Sequence, residues 1–313
     1  MSRAFVFPGQ GSQEVGMGKD LAAAFPAAKQ VFEEVDDSLN QNLSSIIFNG
    51  PDEELILTTN AQPALMAVSM AVIRVLEEEA GIKVSEKINF VAGHSLGEYS
   101  ALTAAGSINL ADSSLLLKAR GEYMQKAVPV GKGAMAAILG LDIESVEEVA
   151  SIATEGMVCQ VANDNSEGQI VVSGDYLAVE RAIKLAKSEG ARRGIILPVS
   201  APFHCSLMRP AAEQMKKELS SIVIKGPTPP IIANVTAKPS DDPEEIRGQL
   251  IEQVTHRVRW RETILTMSDL GVTDIYEVGA GKVLTGLIRR INKNLLTDTI
   301  STPTEVESFI STI

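Results

Sequence analysis

Of the residues able to do chemistry, Ser95 stands in the most suggestive setting. It occupies the run Gly93-His94-Ser95-Leu96-Gly97, between a strand-like segment, residues 90–92, and a helix-like one, residues 99–105. A serine on a tight strand-to-helix turn projects its hydroxyl beyond the end of a sheet, and glycines two positions to either side let neighbouring backbone approach without a Cβ clash. The helix behind the turn offers free N–H groups and a partial positive charge to an oxyanion forming beside the serine. The chemistry in prospect is nucleophilic, with an acyl group held as a serine ester.

An activated serine needs a base, and the chain has three histidines. His94 adjoins Ser95 on the turn, where successive side chains diverge, so it is expected to be a structural hydrogen-bonder. His256 lies in the polar run Thr255-His256-Arg257 and is expected at the surface. His204 closes the loop Ser200-Ala201-Pro202-Phe203-His204, after a buried-looking strand over 195–199. Loops at strand ends gather catalytic groups in sheets of this kind, which makes His204 the candidate base. No acid between Ser95 and His204 stands out as the group that orients the imidazole. A backbone or amide carbonyl would serve as well, and the third member stays open.

Arg120 falls on a helix predicted over 111–127, with Leu116, Met124 and Ala127 on its own face. An arginine within an apolar stripe needs a partner, because burying its charge alone is costly. Its planar fork matches a carboxylate bidentately, so it is either a clamp for a substrate carboxylate or a member of an intramolecular salt bridge, unless the side chain snorkels to solvent.

The elements that must position these residues follow from the pattern along the chain. Residues 1–128 alternate strands, over 4–7 and 89–92, with helices over 20–37, 61–79 and after Ser95, which predicts a mostly parallel sheet covered by helices. Val128-Pro129-Val130-Gly131-Lys132-Gly133 reads as a hinge. Beyond it come strand 134–139, helix 143–153, strands 158–162 and 169–172, helix 177–188 and strand 195–199, the β-α-β-β-α-β order of a ferredoxin-like unit. After a helix over 210–219, strands over 231–234 and 274–278 and a helix after Gly281 return to the first unit. The predicted organisation is therefore an α/β core, residues 1–128 and 200–313, with residues 129–199 inserted. A cleft between the two would be the natural active site.

The 313 residues are 45% hydrophobic and 22% charged, enough for a substantial core. A net charge of −12 argues against nucleic acid or an anionic membrane as partner. Lys282, Arg289 and Lys293 gather on one side of the helix after Gly281, opposite Val283, Leu284, Leu287, Ile288 and Ile291, and are expected to be an ordinary solvated face. Cys159 and Cys205 supply neither a disulfide framework nor a zinc site. The start of the chain enters a strand with no basic leader, and no run is apolar enough to span a bilayer, so the expected compartment is the cytoplasm. Gly9-Gln10-Gly11 lacks the third glycine of a dinucleotide fingerprint, and Gly279-Ala280-Gly281-Lys282 lacks the spacing of a P-loop.

Taken together, the residues resemble the malonyl-CoA:acyl carrier protein transacylase family of fatty-acid synthesis and the acyltransferase domains of polyketide synthases. The resemblance runs over nearly the whole chain. It rests on Phe7-Pro8-Gly9-Gln10-Gly11-Ser12-Gln13, Gly93-His94-Ser95-Leu96-Gly97-Glu98-Tyr99-Ser100-Ala101, Arg120, Val161-Ala162-Asn163, Leu197-Pro198-Val199-Ser200-Ala201-Pro202-Phe203-His204-Cys205 and Glu277-Val278-Gly279-Ala280-Gly281-Lys282-Val283-Leu284. It implies an α/β-hydrolase-like core with an inserted ferredoxin-like subdomain, Ser95 as nucleophile and His204 as its base. It further implies that Arg120 grips the malonyl carboxylate, that the Leu96 N–H donates into an oxyanion hole beside Gln10, and that the Gln253 backbone carbonyl orients the histidine. Asn163 and Phe203 are implied at the substrate. Phe203 stands where many bacterial members have serine, and its ring would crowd an α-methyl branch, favouring malonyl over methylmalonyl. Thr255-His256-Arg257 departs from a segment often ending Asn-Pro in the family, which affects local loop geometry. Malonyl-CoA and acyl carrier protein are the implied partners, without cofactor or metal, for a protein expected to act as a monomer. The rivals are a serine esterase or thioesterase, which shares the turn, and a non-catalytic module that docks the carrier protein, against which Ser95, His204 and Arg120 together speak.

Overall fold

Strand β1 (Arg3–Phe7) is apolar at every position from Ala4 to Phe7, and in the computed structural model, which describes residues 2–313, these side chains divide by parity. Phe5 and Phe7 enter one core while Ala4 and Val6 enter a second on the opposite face, as the two-residue period of a strand requires. A strand buried on both faces belongs inside a helix-covered parallel sheet. The remaining strands are β2 (Phe90–Gly93), β3 (Gly133–Leu139), β4 (Cys159–Ser166), β5 (Gln169–Asp175), β6 (Arg193–Ile196), β7 (Ile231–Ile232), β8 (Pro239–Ser240), β9 (Asp274–Val278) and β10 (Leu296–Ile300). The main sheet has the order β10-β9-β1-β2-β7-β8, parallel from β10 to β7 and antiparallel only at its last pair.

Residues between β2 and β7 build a second, antiparallel sheet of order β4-β5-β3-β6. Parity again decides its packing. Ala134, Ala136 and Ile138 meet the helices Ile143–Ala153 and Tyr176–Ser188, whereas Met135 and, from β5, Val171 turn the other way and join the main core. The protein is thus mixed α/β, a mostly parallel sheet accompanied by a small antiparallel one. Among the described residues no helix is long and apolar enough to cross a membrane.

Two long helices frame the space between the sheets. Thr58–Glu78 is buried over nearly its whole first half, and Leu110–Ala127 buries Leu116, Leu117, Arg120 and Met124. They meet backbone to backbone at Gly121, where a Cβ would lie 2.6 Å from the Thr58 carbonyl oxygen. That approach brings the turns bearing Gln62 and Arg120 together.

The structure departs from the sequence pattern at several points. The helix expected over 20–37 is two, Lys19–Ala24 and Pro26–Leu39, because proline lacks the N–H that would continue the first and suits the opening turn of the second. The strand expected over 195–199 ends at Ile196 and is not buried: Ile195 and Ile196 are 45% and 40% exposed on an edge strand. The strand over 231–234 shrinks to two residues, and β4 runs on through polar Asn163 and Asp164 to Ser166. Strand β10 escaped the pattern because only Ile300 of its five residues is buried. On the helix Val283–Ile291, Leu284, Leu287 and Ile288 are buried as expected, but Val283 at its start is exposed.

Candidate active site

From β2 into the following helix, Gly97–Ala104, the chain turns so tightly that two positions exclude any side chain. A Cβ on Gly93 would lie 1.8 Å from the Gly97 carbonyl carbon, and one on Gly97 would lie 2.2 Å from the Phe7 carbonyl oxygen. At the apex Ser95 has φ 54°, a left-handed conformation that costs a residue with a Cβ about 1–2 kcal/mol. Asn234 supports both limbs: its Oδ1 accepts from the Ser95 N–H at 2.8 Å and its Nδ2 donates to the Gly93 carbonyl at 2.6 Å.

The Ser95 Oγ lies 2.8 Å from His204 Nε2, and His204 Nδ1 lies 2.9 Å from the Gln253 backbone carbonyl. A carbonyl only accepts, so Nδ1 carries the proton and Nε2 turns its lone pair to the serine hydroxyl. Burial, reinforced by the nearby Arg120 charge, pushes the His204 pKa down to about 3. The ring is therefore neutral and ready to accept the Ser95 proton across the physiological range. His204 too is left-handed, with φ 58°. Ser95 and His204 are both held in strained backbone, a cost that the surrounding contacts must offset.

Arg120 is 1% exposed. Its Nη1 donates to Gln62 Oε1 at 2.7 Å, and its Nη2 donates to Gln253 Oε1 at 2.8 Å and to Ser95 Oγ at 3.1 Å. The guanidinium carbon stands 5.8 Å from the centre of the Tyr99 ring. All three oxygen partners are neutral, and none of the ion pairs among the described residues includes Arg120. Its buried Nε has no hydrogen-bond partner among the described residues. Desolvation accordingly lowers its pKa, with the Tyr99 and Glu98 charges opposing. A buried cation bonded only to neutral groups is suited to receive an anion.

These groups open on a cavity of about 500 Å³ whose lining includes Gln10, Ser95, Leu96, Arg120, Asn163, Phe203 and His204. Met124, Met135 and Val171 add apolar wall from the long helix and the small sheet. The N–H groups of Leu96 and Gln10 donate to no acceptor among the described residues, and the Gln10 side chain is held by Thr58 at 3.2 Å. Gln253 does not line the cavity; it lies buried behind Ser95 and His204. His94, by contrast, points to Asn165, 2.8 Å from Nε2, and packs by Trp260, while His256 is exposed.

Residues 4–296 match the model of the acyl transferase domain family. The chain belongs to the acyl transferase family. It is 49% identical over 311 residues to the malonyl CoA-acyl carrier protein transacylase of Bacillus subtilis (strain 168), covering 99% of this chain and 96% of that one. Against the enzyme of the same name from Escherichia coli (strain K12) the identity is 45% over 300 residues, 96% of each chain. Among solved structures, acyl-carrier-protein-S-malonyltransferase from Bartonella henselae superposes with a TM-score of 0.98 at 56% identity, over 100% of this chain and 99% of that one. A malonyl-transacylase in complex with a type II polyketide acyl-carrier protein superposes with a TM-score of 0.96 at 41% identity, over all of both chains.

Sequence reasoning about this acyl transferase missed Gln62, Glu98 and Asn234. Glu98 is buried in the first turn of the helix behind Ser95, where its Oε2 accepts from Gln253 Nε2 at 2.6 Å and from the Asn234 N–H at 3.3 Å. Burial raises its pKa to about 7 against the lowering effect of those bonds and of Arg120. Its place one residue beyond the glycine of the turn was a local signal. Gln62 and Asn234 lie 58 residues before Arg120 and 139 after Ser95, and no spacing rule links them to either.

Proposed function

We propose that the protein moves a malonyl group from malonyl-CoA to the phosphopantetheine thiol of an acyl carrier protein through an ester on Ser95, supplying malonyl units for fatty-acid synthesis. The single observation that carries this reading is Arg120, a buried guanidinium beside the Ser95 hydroxyl with only neutral bonding partners. An acyl group bearing its own carboxylate would supply the missing anion. The named relatives support the same substrate pair.

In the first half-reaction His204 Nε2 takes the proton of Ser95 Oγ as the oxygen attacks the thioester carbonyl. The N–H groups of Leu96 and Gln10, which have no acceptor among the described residues, would receive the oxyanion. Collapse breaks the carbon–sulfur bond, and the imidazolium returns its proton to the departing CoA sulfur. In the second half the carrier thiol gives its proton to His204 as its sulfur attacks the ester carbonyl. Collapse breaks the bond to Ser95 Oγ, the imidazolium returns the proton to that oxygen, and the malonyl group departs as the carrier thioester. Arg120 clamps the malonyl carboxylate throughout, Asn163 flanks the acyl group, and the Phe203 ring narrows the space for an α-methyl branch. The reaction so written needs no cofactor, malonyl-CoA being a substrate.

The fold supports an α/β-hydrolase-like core, residues 1–128 and 200–313, with a ferredoxin-like insertion, residues 129–199. The net charge of −12 supports a protein that meets neither nucleic acid nor an anionic membrane, and the proposal takes it to act in the cytoplasm as a monomer. The test is brief incubation with malonyl-CoA followed by peptide mass mapping, with Ser95→Ala as control, and a chase with holo-acyl carrier protein. A malonyl adduct on Ser95 that passes to the carrier is the expected result. Free malonate formed with carrier present would mark a hydrolase instead, and no adduct would defeat the reading.

A further inference from the structure

The side chain of Gln253 has an amide whose oxygen and nitrogen are nearly alike in shape, so it fits its site in two orientations related by a half-turn. Its neighbours distinguish the two. Arg120 Nη2, at 2.8 Å, can only donate, so it requires the amide oxygen. On the other side the Ser95 carbonyl, at 2.9 Å, and Glu98 Oε2, at 2.6 Å, require the nitrogen. Half a turn would set donors against Arg120 and an acceptor against both Glu98 and Ser95. Glu98 makes the shortest of these contacts, and it is the one carboxylate whose charge the buried guanidinium feels. Its own carboxylate is tethered by the Asn234 main chain, and Asn234 in turn holds the Ser95 turn.

Resting on the function proposed above, we infer that Glu98 is a positioning residue for acyl selection: by fixing the Gln253 amide it fixes the pose of the Arg120 guanidinium that receives the substrate carboxylate. It touches neither the cavity nor the reacting atoms. Replacing it by glutamine keeps its size and its capacity to hydrogen-bond but weakens the rule, because a neutral amide oxygen is a poorer acceptor than a carboxylate and leaves the Gln253 amide to be held chiefly by the Ser95 carbonyl and Arg120. The guanidinium then has a less firmly held acceptor at Nη2 and loses its nearby counter-charge as well. A displacement of about 1 Å in such a clamp lowers a rate by up to roughly a hundredfold, and only for an acyl group that uses the clamp.

The experiment compares Glu98→Gln with the full wild-type chain, measuring kcat and KM for transfer to holo-acyl carrier protein from malonyl-CoA and from acetyl-CoA. Wild-type loading of Ser95 by malonyl-CoA is established first; its failure would defeat the proposed function and leave Glu98 out of account. The expected result is a malonyl-to-acetyl ratio of kcat/KM lowered roughly ten- to a hundredfold, with acetyl transfer within about threefold of wild type. Equal loss for both acyl donors, or no loss for either, would overturn the inference. Glu98→Asp, which keeps the charge but withdraws it by one methylene, should fall between the two. If Glu98→Gln does not fold, an Asp variant with the wild-type ratio overturns the inference in its place, and a lowered ratio supports it.

Discussion

Replacing Arg120 by alanine separates the two tasks assigned to the site, ester chemistry and recognition of a charged acyl group. The guanidinium is fully buried and its three oxygen partners are neutral, so a substrate carboxylate would meet it with little competition. Removing one member of a desolvated, hydrogen-bonded charge pair costs about 2–5 kcal/mol, which is roughly a thirty- to several-thousandfold loss in kcat/KM for malonyl-CoA. Acetyl-CoA carries no carboxylate and should lose only what the bonds to Ser95 Oγ and Gln253 contribute, about tenfold or less. A second consequence follows from charge. Arg120 helps to hold the His204 pKa down, so the acid limb of residual acetyl transfer should move to higher pH in the variant, though burial keeps it below 6.5. The assay is initial-rate transfer of each acyl group to holo-acyl carrier protein across pH 4–9 in wild type and variant. Equal losses for the two donors would refute the clamp, and an unmoved acid limb would refute the electrostatic link between Arg120 and His204.

Three further outcomes follow. Ser95→Gly should abolish acylation yet raise stability by roughly 1 kcal/mol in urea unfolding, because glycine adopts φ 54° freely and loses only part of that gain to the greater freedom of the unfolded chain; a destabilised variant would show that the turn is not strained. His204, held at about 3 against an ordinary 6.5, stabilises the fold above pH 6.5 and loses that contribution as pH falls toward 3, while Glu98, held at about 7 against 4.5, contributes fully below 4.5 and loses it as pH rises through 7. The two nearly cancel between pH 5 and 7, so His204→Gln should gain about 2 kcal/mol relative to wild type on going from pH 7 to 5, with an unchanged relative stability counting against a buried neutral imidazole. Gly97→Ala should leave little folded protein, since its methyl would stand 2.2 Å from the β1 backbone; soluble, active variant enzyme at wild-type yield would contradict the packing at the turn.

The local part of this site was legible in the sequence and the distributed part was not. Ser95 and its flanking glycines declare themselves within five residues, and Arg120 is conspicuous because a charge interrupts an apolar helical stripe. His204 emerged by elimination among three histidines, although the strand used to place it proved to be an exposed edge. Its orienting partner, the Gln253 carbonyl, lies on the main chain, where residue type carries no signal, and only family resemblance pointed to it. Gln62, Glu98 and Asn234 join the candidate site only where the chain folds back on itself. Short apolar runs between helical segments located the central strands of both sheets, but the reading overran β6 and missed β10, edge strands whose side chains are largely exposed or half-buried.

The two glycines of the Ser95 turn bear on how this family should be read across evolution. Each is demanded by backbone contacts that exist whether or not an acyl group is ever bound: Gly93 against the helix behind it, Gly97 against β1. A descendant that had given up catalysis would keep both and be free to change Ser95, and a change to glycine would relieve its left-handed strain. The glycines of the motif therefore trace the ancestry of the fold, and on the proposed mechanism it is the identity of residues 95, 120 and 204 that would separate a working transferase from a silent copy.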